Sequence, residues 1–170
     1  MVLLSLVLPL SAESEVFDQY DQALGVQFGR IAGIGASYQK WYPTFGLQVA
    51  GGFFFHPIIE EERDRFAYNI GAEVQLPLIS HTITSFLSGR VYIVAGLHHR
   101  TYQEAVGDET FGYTGGPIVM QFGAGAGIGV ETVLFQHFAL GTEFVYVGLY
   151  TVEGKVDFDM YPQVSIRYRF

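Results

Sequence analysis

Cysteine is absent from the chain, which excludes a disulfide framework and any thiolate-held metal. Charge is scarce as well: 15% of the 170 residues are Asp, Glu, Lys or Arg, against about 25% in ordinary soluble domains. Among those few, acid outweighs base to a net charge of −8. The clustered Lys and Arg that a phosphate backbone demands are missing, so nucleic acid is excluded as a partner. Long apolar runs are missing too, since after the first dozen residues no uninterrupted stretch approaches the about 20 residues of a membrane helix. What remains is hydrophobicity without blocks: 49% apolar and 16% aromatic residues, with 21 glycines between them. At this length the chain makes one domain.

That hydrophobicity is spread as alternation. In residues 158–170 and the Asp157 before them, Phe158, Met160, Val164, Ile166, Tyr168 and Phe170 point one way, and Asp157, Asp159, Gln163, Ser165, Arg167 and Arg169 the other, because successive strand side chains face opposite sides of a sheet. The same period, bounded by Gly, Pro or charge clusters, predicts strands over residues 21–29, 32–41, 45–56, 66–78, 86–103, 117–133 and 138–151. The expected fold is all-β: eight antiparallel strands in a closed up-and-down barrel over residues 21–170, apolar outside and polar inside, a transmembrane β-barrel. A soluble barrel of lipocalin type is the alternative, with the faces reversed.

The connections sort by side. Short turns are expected at residues 42–44, 79–85 and 135–137 on the side of the termini. On the other side come long loops at 57–65 and 104–116, where bacterial barrels carry their longer external loops, and tight turns at 30–31 and 153–155, which depart from that pattern and suggest a low outer rim on part of the circumference. The external segments carry an acidic rim of Glu60, Glu61, Glu62, Asp64, Glu104, Asp108, Glu109 and Glu153. Residues 1–14 read as a truncated signal peptide, an apolar stretch ending in Ala12 and Ser14 that lacks the usual basic start.

The chain resembles the small eight-stranded outer-membrane β-barrel proteins of Gram-negative-type bacteria, the OmpA, OmpX and OmpW kind. The resemblance spans the barrel region and rests on the alternating strands, on aromatic residues near strand ends (Phe28, Tyr38, Trp41, Tyr42, Phe53, Phe55, Phe135, Phe138, Tyr168), and on Phe170 preceded by Val164, Ile166 and Tyr168 on one face. It implies residence in the bacterial outer membrane with lipid as the surrounding partner. It further implies that Val164, Ile166, Tyr168 and Phe170 are the signal read by the barrel-assembly machinery.

An eight-stranded interior is just wide enough to be filled by side chains. Glu73, Arg90, Glu131, Glu143, Arg167 and Arg169 fall on the inner face, three carboxylates and three guanidiniums suited to bidentate pairing, so a luminal ion-pair network that plugs the barrel is expected, the alternative being a gate or proton-linked conduit. The alternate glycines 123, 125, 127 and 129 lack the spacing of a dinucleotide fingerprint and read as room for Arg and Tyr from across the lumen. His98 and His99 point to opposite faces and cannot share a metal. No Ser, His and carboxylate set converges, Ser88 lying well down the strand, so neither catalytic residue, metal nor cofactor is expected. The resulting expectation is a non-enzymatic barrel with a structural or surface-interaction role, the alternatives being a narrow channel for small or hydrophobic solutes and, further off, a lipid A-modifying enzyme.

Overall fold

A computed structural model describes Phe17 and residues 19–55, 66–108 and 112–170. The predicted signal peptide, the 57–65 loop, His56 and Glu109 lie outside the described residues. Eight strands follow in chain order: β1 (Gln22–Phe28), β2 (Ile34–Trp41), β3 (Gly46–Phe55), β4 (Phe66–Thr84), β5 (Leu87–Asp108), β6 (Gly112–Leu134), β7 (Phe138–Thr151) and β8 (Val156–Arg169). Each pairs antiparallel with its sequence neighbours, and β1 closes on β8 from Ala23 opposite Arg169 to Phe28 opposite Val164. Closure leaves the ring no free edge, the requirement that a lone antiparallel sheet of this size would fail.

The faces are those of an inverted core. Phe158 is 79% exposed and Tyr146 70%, whereas Glu131 and Arg169 are wholly buried. Every aliphatic or aromatic residue predicted on the outer face of β8 is exposed, and Gln163, Ser165, Arg167 and Arg169 are enclosed. Trp41 departs from the expected aromatic girdle. It turns inward and is buried with its edge against Tyr92, ring centroids 5.9 Å apart, while the other eight girdle aromatics are exposed.

Three connections differ from the sequence expectation. The turn expected at residues 79–85 is strand up to Thr84, because register shifts between Pro77 and Ile79 and between Thr82 and Thr84 absorb the proline and let pairing continue. The expected 104–116 loop is mostly hairpin. Strands β5 and β6 pair out to Asp108 opposite Gly112, past a shift between Gln103 and Ala105. At 22 and 23 residues they rise well beyond the 7 and 8 of β1 and β2. The third is the tight turn at 30–31, which does not stand at the rim but folds into the barrel.

Candidate functional site: the filled lumen

From the side of the chain termini toward the loops, the inner wall is built in layers. Arg169 and Arg90 form the lowest one, with Phe17 against both: the Arg90 guanidinium carbon lies 4.0 Å from the Phe17 ring centre and 3.8 Å from that of Trp41, and Arg169 sits 5.1 Å over Phe17. Arg169 also donates to the carbonyls of Phe17 and Tyr20. Phe17 packs on Val133 and Ala139 and caps this mouth. Stacked guanidinium and aromatic planes suit cations that are buried away from water.

Above this layer stands Glu131, 3.6 Å from Arg167 and 4.0 Å from Arg90. Arg90 is steadied by Ser80, its Nε donating to Oγ at 3.1 Å. The remaining two predicted carboxylates have other partners. Tyr92 donates its hydroxyl to Glu143 at 2.6 Å, and the Gln163 amide donates to Glu143 at 2.7 Å and to Glu73 at 2.9 Å. The expected network of three acids and three arginines is thus divided. Among the described residues, Glu131 alone of the three acids forms ion pairs, whereas Glu73 and Glu143 are held by neutral donors.

Glutamine is the residue type that sequence reasoning passed over. Gln39 donates to Gln75 at 2.8 Å, Gln75 to Gln48 at 3.3 Å and to Glu143 at 3.2 Å, and Gln48 to Gln27 at 3.0 Å. Arg167 donates to the same Gln48 oxygen. An amide carries both donor and acceptor, so a row of them can hydrogen-bond across the lumen without the desolvation cost of added charge. Their place at the inward parity of each strand was the available signal.

The next layer is apolar. Val94, Val145, Val147 and Leu149 line the lumen above Tyr92 and Trp41, with which they form one apolar cluster, and the β1–β2 turn adds Ile31 to it, which like Ala32 is fully buried. Here Val145, Val147 and Leu149, which blurred the alternation of β7, face inward against Ile31. The glycines of the wall form its socket. A Cβ on Gly71, Gly96 or Gly125 would collide with Ile31 or Ala32, while one on Gly129 would strike Tyr92. Room is therefore made for Ile31 and Tyr92, and the glycines that accommodate Arg167 are Gly25 and Gly141. The inward bend passes through Gly33 at φ +102°, a conformation that a side chain resists. Asn69 clamps the turn's exit, accepting from the Ile34 amide at 2.6 Å and donating to the Ile34 carbonyl at 3.0 Å.

The histidines separate as predicted by parity. His98 faces the lumen. His99 lies on the outer face, its Nε2 within 3.0 Å of the Tyr68 hydroxyl and 3.1 Å of the Thr101 hydroxyl, its ring 4.7 Å from Phe122. Ser88 bonds Thr82 at 3.3 Å. Of the acidic rim, Glu104 and Glu153 are exposed, and Glu153 stands 3.9 Å from Lys155. No group of three potential ligands able to hold a metal occurs among the described residues. Comparison with protein-family models, curated proteins and solved structures finds no match for this chain.

Proposed function

We propose that the chain is an integral outer-membrane β-barrel of the small OmpA/OmpX type, non-enzymatic and closed, which serves the envelope as a structural element or presents its loop-side rim to partners. The observation that carries this reading is the continuous apolar outer surface. Soluble monomers rarely expose contiguous apolar patches beyond about 600 Å². Here large side chains such as Leu24, Val74, Ile128, Phe144, Phe158 and Ile166 are exposed on strand after strand around the ring. Acyl chains would cover that surface, and over the closed part of the ring each strand's backbone is paired with a neighbour on both sides. Outward-facing Val164, Ile166, Tyr168 and Phe170 are then available to the assembly machinery as one apolar row.

A closed barrel is favoured over a narrow channel by the layered filling of the lumen, with Phe17 at one end, Ile31 near the other and a hydrogen-bonded lattice between. Detergent extraction and gel mobility test the membrane reading. The folded protein is expected to require detergent and to migrate differently before and after boiling; a chain that stays monomeric in buffer without detergent would refute it. Planar-bilayer recording separates the two lumen readings, a silent barrel being expected and discrete openings favouring the channel.

A further inference from the structure

The layered lumen is sealed unequally. Below Ile31 lie Gln163, the two carboxylates it bridges, the Arg167–Glu131 pair and Phe17, so withdrawal of the β1–β2 turn would not open a pore. It would open a blind pocket. The pocket would have an apolar wall of Val147 and Leu149, a glycine socket shaped to a branched four-carbon side chain, and a floor that offers Gln163 Oε1, the acceptor now taken by the Ile31 amide at 2.8 Å.

A second observation places a polar head beside that socket. His98 is 5% exposed, faces the lumen directly opposite Gly71, and neither of its ring nitrogens has a hydrogen-bond partner. Buried polar atoms are rarely left so. The charged groups facing it are Arg30 and Arg100. Arg30 rests over the Tyr161 ring at 5.4 Å, next in sequence to the plug. Arg100, on β5 beside His98, stays in place when the turn carries Arg30 away; an imidazole N–H next to that cation, and next to a slot for a short aliphatic group, matches a carboxylate with a small tail better than a neutral or cationic solute.

We propose that the loop-side lumen is a binding site for a short aliphatic carboxylate, whose tail takes the socket of Ile31 and whose head bonds His98, with the β1–β2 turn as its built-in competitor. The site rests on the filled lumen and is independent of where the barrel resides.

Equilibrium dialysis of radiolabelled hexanoate tests it, with protein-free detergent micelles as the blank, beside ¹³C-methyl NMR of Ile31 in the same preparation. Saturable binding with a shift of the Ile31 methyl is expected. Ile31→Ala, which empties the socket, should bind at least tenfold tighter, and His98→Ala should bind at least fivefold more weakly. On the unmutated protein, 1-hexanol should bind at least fivefold more weakly than hexanoate, a comparison that holds even if a variant fails to fold. Absence of saturable binding to Ile31→Ala overturns the site. Equal affinity for hexanol and hexanoate overturns its assignment to a carboxylate.

Discussion

Gln163 joins Ile31 to the charged interior: its side-chain oxygen accepts the Ile31 amide at 2.8 Å while its nitrogen donates to Glu73 and Glu143. One fully buried side chain on β8 therefore ties the inserted turn to two carboxylates contributed by β4 and β7. Gln163→Leu keeps much of the volume and removes every one of these bonds. Since each buried polar group left unsatisfied costs about 1–3 kcal/mol, the substitution should lower unfolding stability by roughly 3 kcal/mol or more, read as the urea midpoint of the detergent-folded protein.

The two kinds of carboxylate should respond differently to neutralisation. Glu131→Gln removes the charge that two arginines face, and breaking a buried pair costs about 3–5 kcal/mol. Glu73→Gln retains an acceptor for the Gln163 amide and relieves a carboxylate crowded by Glu143 through that shared amide, so its cost should stay below about 1 kcal/mol. Equal losses in the two variants would contradict the division of the network.

Filling the socket should expel the turn. A valine at Gly96 would overlap Ile31 and the Ala72 carbonyl, and overpacking of this kind costs about 1–3 kcal/mol. The chain would gain by releasing the β1–β2 turn and exposing the peptide bond after Arg30. Trypsin is expected to cut there in Gly96→Val while leaving that bond intact in the parent protein.

Phe17 covers the guanidinium that lies on Trp41. Because Trp41 is the single tryptophan, its quenching by acrylamide reports directly on this mouth. Phe17→Ala should increase quenching several-fold and cost roughly 3 kcal/mol; unchanged quenching would mean that Phe17 does not seal the lumen.

The β6–β7 turn holds Phe135 and Gln136 at φ 51° and 67°. Residues with a Cβ lose about 1–2 kcal/mol in this left-handed region. Gln136→Gly is therefore expected to raise stability by about 1 kcal/mol, provided that the stacking of Phe135 on Phe86, at 6.1 Å, is kept.

Strand cores and most facings were legible because both are short-range properties. Each Cβ alternates with its own backbone pleat, so the parity of Glu73, Arg90, Glu131, Glu143, Arg167 and Arg169 could be read one residue at a time, and all six are buried. Pairing among them was not legible. Whether Glu143 meets an arginine or a tyrosine depends on register across β5 to β8 and on side-chain reach across the lumen, where Tyr92 arrives first.

Ile31 and Trp41 show the same boundary from the apolar side. Ile31 and Ala32, bracketed by Gly29, Gly33 and Gly35, were the trace of an inserted turn, and the inward valines of β7 were the trace of its socket. Neither carries meaning until the barrel closes and brings β4, β5, β6 and β7 around one point. Period-two alternation, a local consequence of chain chirality and pleat, decided that the chain would form strands with one apolar and one polar face. Only closure, which brings residues more than a hundred positions apart into contact, as Ile31 is with Gln163, decided that the interior would be sealed by a leucine-sized side chain, a row of amides and a phenylalanine.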